Sequence, residues 1–124
     1  MVLSCQKGVN VTTFTNYATT DAYQQTPSKA IVSKFNAATG QRNYSTYLDD
    51  NLNISHLINT DNNIYALGFV GSRALVDSNL LNQSYQSSYG GNVDLYLGKF
   101  TKNMVPIWGD IYWRQRYGVF RAHF

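Results

Sequence analysis

Apolar residues in this chain come in short runs that alternate with polar ones, and clusters of Asn, Asp, Gly and Ser punctuate them. "AIVSKF" (30–35) alternates and runs into the turn "NAATGQ", where Gly40 supplies a permissive backbone. "RNYSTYL" (42–48) follows and ends at the polar turn "DDNLN". "ISHLIN" (54–59) and "IYALGF" (64–69) flank "TDNN", which has the composition of a tight Asx hairpin. After a long polar connection to about residue 91, "VDLYLGKF" (93–100) and "VPIWGDI" (105–111) form a further pair around "TKNM". Pro106 lacks an amide hydrogen, which suits an edge strand or the first residue of a strand. No stretch keeps a helical period of about 3.6 residues with caps. Residues 1–15 read as an irregular N-terminal segment.

Composition strengthens the strand reading. The chain has 124 residues, enough for one small domain with a modest core. Its ten Tyr and many Thr, Val and Ile favour strands. There is no Glu, and Asp prefers turns to helix interiors. The net charge of +3 is unevenly spread. Residues 1–109 hold seven Lys/Arg against six Asp, whereas residues 110–124 hold three Arg against one Asp. The body therefore gives no electrostatic case for a nucleic-acid partner.

Cys5 is the only cysteine, which excludes a disulfide framework and a Cys-based zinc site. "VLSC" (2–5) resembles a lipoprotein cleavage box, yet only Met1 precedes it, so the apolar stretch of a signal peptide is missing. No run approaches the ~18 apolar residues of a membrane span. The expectation is a soluble chain with no export signal of its own.

An internal repeat organises these strands. "DAYQQ" (21–25) pairs with "QSYQS" (83–87), "VSKFN" (32–36) with "LGKFT" (97–101), and Tyr44 with Trp108. The shifts are 62, 65 and 64 residues, in unchanged order.

The period and its words resemble the SBBP-type β-propeller repeat of bacterial exported and surface proteins. "DAYQQTPSKAIVSKFNAATGQRNYSTYL" (21–48) is similar to that repeat's first two elements, and "ISHLINTDNNIYALGF" (54–69) to its hairpin. "QSYQSSYGGNVDLYLGKF" (83–100) starts a second, closer copy. The resemblance covers about residues 16–109 and departs from the family at Asp49-Asp50, at the hairpin turn Asn62-Asn63, and around Pro27, where the family carries glycines. Asn and Asp tolerate positive φ better than other residues, so such turns can survive.

The resemblance implies an all-β fold of antiparallel, four-stranded, blade-like sheets, a fragment of a β-propeller. Residues 21–48 would be half a blade and residues 54–111 a full one. A propeller closes with about four to eight blades, so further blades, of the same or another chain, are the implied partners. The parent family's location implies an extracellular or cell-surface protein.

Residues 110–124 contrast with the body, setting Arg114, Arg116 and Arg121 among aromatics. With one permitted codon for each residue, a +1 reading after Trp108 spells "GTYIGGKDMEYFALT", the continuation the repeat calls for. The tail is therefore expected to be a frameshifted translation with no selected nucleic-acid or membrane role.

Candidate chemistry is sparse. His56 alternates with Ile54 and Ile58, which would put all three on one side of a strand, but no Ser or Cys nucleophile signature accompanies it. His123 lies in the anomalous tail. Asp49-Asp50-Asn51 and Asp61-Asn62-Asn63 are oxygen-rich, yet the spaced calcium-loop pattern ending in Glu is absent, which favours Asx turns. A hydrolase on this scaffold would need carboxylates converging from other blades.

Asn10, Asn43, Asn53 and Asn82 start N-x-S/T triplets of the kind a chain this rich in Asn and Ser produces by chance. Tyr23, Tyr85, Tyr89 and Tyr96 either stack on sugars or pack between blades. The reading is a non-catalytic scaffold or interaction module, with no catalytic, cofactor or metal residues. A glycan-binding adhesion module using exposed tyrosines is the alternative, and the ligand is then a glycan or a protein.

Overall fold

The computed structural model describes residues 2–6, 16–71, 75–84 and 93–112. The chain is all-β and antiparallel. Strands β1 (Val2–Gln6), β2 (Ala30–Phe35) and β3 (Arg42–Leu48) form a three-stranded sheet in that order. Strands β4 (Leu52–Asn59), β5 (Asn63–Val70), β6 (Asp94–Thr101) and β7 (Pro106–Tyr112) form a four-stranded meander. A 3₁₀ turn, Ser78–Leu81, interrupts the connection from β5 to β6, capped by the Asp77 carboxylate accepting from Asn79 N–H at 3.0 Å.

Six of the seven strands lie where alternation and turn chemistry put them. The exception is β1, within the segment read as irregular. It is a strand because β2 offers it five consecutive pairings, from Val2↔Phe35 to Gln6↔Ile31. Local sequence carries little of that information. Pro106 opens β7, whose outer side is a sheet edge, as its missing donor requires.

The pairings of the two sheets correspond. Val2↔Phe35 in the first answers to Ile64↔Phe100 in the second, and Ile31↔Tyr47 to Tyr96↔Ile111. Lys34↔Tyr44 answers to Lys99↔Trp108, and Phe35↔Arg42 to Phe100↔Pro106. A bulge falls between Lys34 and Phe35 in one sheet and between Lys99 and Phe100 in the other. Three strands of each sheet are thus one repeated unit. Bulges are specific local features, so a matched pair argues for a repeat more strongly than matched composition does.

The outer edges are treated alike too. Residues 16–29 run along β3, with Thr19 N–H on the Ser45 carbonyl at 2.9 Å and Tyr47 N–H on that of Gln24 at 3.1 Å. Beside β7, the Gly109 N–H reaches the Asn82 carbonyl at 3.0 Å. Both edges are therefore covered rather than left to pair with a foreign strand.

The core lies between the sheets. Ala30, Val32, Tyr44 and Leu48 of the first sheet meet Leu52, Ile54, Ile64, Ala66, Val70, Tyr96, Phe100 and Ile111 of the second, with Leu80 and Met104 closing the ends. The anomalous tail was expected from residue 110. Asp110, Ile111 and Tyr112 instead complete β7, pairing with β6 as Thr46, Tyr47 and Leu48 pair with β2, and Ile111 is buried. Residues 113–124, with the three arginines and His123, lie outside the described residues.

Gly109 is where the second copy departs from the first, which has Ser45 there. A Cβ on Gly109 would stand 1.7 Å from the Leu80 carbonyl oxygen, because the 3₁₀ turn packs directly on the strand. Gly109→Ala is expected to cost about 1–3 kcal/mol in urea unfolding. Gly71→Ala, where a Cβ meets nothing within 4 Å, should stay within about 0.5 kcal/mol. Equal effects at the two positions would remove the close-packing account.

Candidate functional site

The polar structure of the molecule concentrates where the two sheets meet. Tyr23, in the segment along β3, is half-buried against the core. Its hydroxyl donates to Asp77 Oδ2 at 2.8 Å, and its N–H donates to the Tyr44 hydroxyl at 2.9 Å. Burial, then the Asp77 carboxylate, push the Tyr23 phenol up to about 12. Tyr44 in turn donates to the Asn103 carbonyl in the β6–β7 turn, and burial raises its pKa as well.

Lys34 completes the junction. It is buried, 4.8 Å from the centre of the Tyr44 ring, and its ammonium donates to the Lys102 carbonyl at 2.5 Å and to Asn103 Oδ1 at 3.1 Å. Burial lowers its pKa, with Asp21 opposing and Lys102 adding to the fall. The turn that receives these contacts is unusual. Met104 takes φ 61°, a left-handed backbone that non-glycine residues seldom adopt, while its side chain is fully buried in the core. Met104 is not among the residues singled out from the sequence, where its signal is an apolar residue inside the polar turn "TKNM".

Of the four tyrosines singled out from the sequence, the two among the described residues both pack on the core. Tyr96 is fully buried in the inter-sheet core, its hydroxyl donating to the Leu80 carbonyl at 2.8 Å, and burial raises its pKa. It offers no face to a ligand. This corrects its place among exposed stacking residues, because β6 turns it inward with Phe100. Tyr23 has its hydroxyl committed to Asp77 and its ring against the core. Tyr85 and Tyr89 lie outside the described residues.

His56 is exposed, with Nδ1 3.0 Å from Ser55 Oγ. The shared side with Ile54 does not hold. A register shift between Ile54 and His56 leaves Ile54 on the core face and turns His56 outward with Ile58. The Ser55 hydroxyl donates to the Leu67 carbonyl at 3.1 Å, so it is engaged with the backbone.

The carboxylates do structural work. Asp49 accepts the backbone N–H groups of Val76 at 2.6 Å, Asp77 at 2.7 Å and Asn51 at 2.9 Å, which binds the connection after β5 to the end of β3. Asp50 accepts the Lys29 N–H at 2.5 Å. Asp49, Asp50 and Asp77 line an open cleft of about 460 Å³ with Gln24, Pro27 and Leu48. Among the described residues, no group of three His, Cys, Asp or Glu is placed to hold a metal ion. No helix among them is long and apolar enough to cross a membrane.

The remaining feature is the outward face of the four-stranded sheet. Its rows read Ile58–Tyr65–Lys99–Trp108, then His56–Leu67–Leu97–Asp110, then Asn53–Phe69–Leu95–Tyr112. Ile58 is 59% exposed and Phe69 37%, and Tyr65, Leu67, Leu95, Leu97 and Trp108 are half-buried, whereas Asp110 and Tyr112 at the β7 end are buried. An antiparallel sheet with one wet face normally turns polar residues outward, so this is a candidate interaction face.

No family model, no curated protein and no solved structure matches the chain. The site stands on its own geometry.

Tyr23 makes the junction testable by pH. Its folded pKa of about 12 exceeds the ordinary 10.0, so at intermediate pH the folded chain keeps a proton that the unfolded chain has lost. The associated stability is present below pH 10 and lost as pH rises towards about 12. Urea unfolding across that window should show a falling midpoint, and Tyr23→Phe should make the fall shallower. An unchanged slope in the variant would show that Tyr23 is not held as described.

Proposed function

We propose that this chain is a non-catalytic structural and interaction module, a run of SBBP-type β-propeller repeats from an exported or cell-surface bacterial protein. The observation that carries this reading is the correspondence between the sheets, strand for strand and bulge for bulge, at the spacings that relate "VSKFN" to "LGKFT" and Tyr44 to Trp108. Propellers are built from four-stranded antiparallel blades packed face to face around an axis. The β4–β7 meander and its packing against the first sheet are compatible with that plan.

A sheet that is apolar on both faces needs cover on both, and neighbouring blades supply it. The carboxylates of the cleft accept hydrogen bonds from backbone groups and Tyr23, in keeping with a structural use. The glycan-binding alternative is weaker with Tyr96 buried and Tyr23 engaged with Asp77.

Nucleotide sequencing across codons 100–124 and downstream tests the reading. The expected result is an out-of-frame "GTYIGG" after Trp108 followed by further repeats. A sound frame with no further repeat upstream of codon 1 or downstream of codon 124 would overturn it. Glycan-array binding lost on Tyr23→Ala would instead favour the adhesion module.

A further inference from the structure

The contact between the sheets has a specific grip. Lys34 and Tyr44 are cross-strand partners, and together they hold the β6–β7 turn through the Lys102 and Asn103 carbonyls and the Asn103 side chain. The shifts that relate the two copies carry Lys34 to Lys99 and Tyr44 to Trp108, again cross-strand partners beside the same bulge. The ammonium keeps an aromatic companion, since Lys99 Nζ lies 5.9 Å from the centre of the Tyr65 ring. Trp108 brings an indole N–H where Tyr44 brings a hydroxyl donor.

The faces used are also related. The first sheet packs through Ala30, Val32, Tyr44 and Leu48. Their counterparts, Leu95, Leu97, Trp108 and Tyr112, do not stand on the packed face of the second sheet but on its outward one. The second sheet meets the first through its opposite face, with Ile64, Ala66, Tyr96 and Phe100. Contact between the copies is therefore heterologous, head to tail, and such contacts repeat until a ring or filament results.

From this we infer that the outward face of the four-stranded sheet is a socket for a following repeat of the same kind, with Lys99 and Trp108 gripping that repeat's hairpin turn. The inference deepens the repeat-module reading and rests on it. Its occupant is a repeat in tandem rather than a second folded copy of this chain. In a folded copy the Thr101–Met104 turn already sits on that copy's own Lys34 and Tyr44. A tandem repeat brings an uncommitted turn, and its carbonyl oxygens complement the Lys99 ammonium.

The test lengthens the full chain by one unit, with a second copy of residues 49–112 inserted after Tyr112 and residues 113–124 kept at the end. Leu48 and Tyr112 are equivalent positions, so the strands stay in phase. Urea unfolding should give a single transition with a higher midpoint than the parent chain. Lys99→Met in the first unit should lower the folding equilibrium constant of the lengthened chain by about 5- to 30-fold. The same change in the parent should alter it by no more than about twofold. Lys34→Met, which acts on the existing grip, should lower both.

A second repeat that folds cooperatively and ignores Lys99→Met would overturn the socket and leave the repeat-module reading intact. Added residues that unfold apart from the rest, with the parent's midpoint unchanged, would overturn both.

Discussion

Phe100, Tyr96 and Ile64 on the four-stranded sheet close against Val32, Tyr44 and Leu48 on the three-stranded one, and the fold depends on that closure. Each sheet alone would leave its apolar face in water, with little burial to offset the entropy of ordering its strands. Packed together they remove whole side chains from water, each worth about 1.5–3 kcal/mol when fully buried. The long connections serve the same contact. Leu80 from the 3₁₀ turn and Met104 from the β6–β7 turn fill the ends of the core, and Met104 accepts a left-handed backbone to do so.

Because the copies use opposite faces, the core is a head-to-tail contact between the two corresponding sheets. A two-fold pairing would present the same residues from both sides. Here Lys34 and Tyr44 point into the junction, while Lys99 and Trp108 stand on the far side of their own sheet. On the proposed tandem reading, the apolar outward rows are the surface on which a following repeat would sit.

The strands were legible in the sequence because their alternation and turn residues are local signals. β2 through β7 follow "AIVSKF", "RNYSTYL" and their successors closely. The spacings of 65 and 64 were legible for the same reason, since Lys34-Phe35 and Lys99-Phe100 mark the same bulge. β1 was not, because its pairing depends on β2, a distant segment. The side of His56 was misread because one register shift reverses every later side chain in the strand. The tyrosines could not be sorted by type alone. Tyr96 and Tyr23 share a composition signal, and only the face of β6 and the reach to Asp77 separate a core residue from a junction residue.

Apolar burial is not directional, so it cannot by itself fix how one sheet sits on another. The polar contacts at the junction supply the missing register. Lys34 reaches the Lys102 carbonyl, Tyr44 the Asn103 carbonyl and Tyr23 the Asp77 carboxylate, three points that a slide of one residue would break together. A buried ammonium without partners is costly, which makes every misplaced arrangement worse than the correct one. Asp49 serves the same end. Its carboxylate takes three backbone N–H groups and ties the end of β3 to the connection that carries Asp77, which tightens the junction beside it.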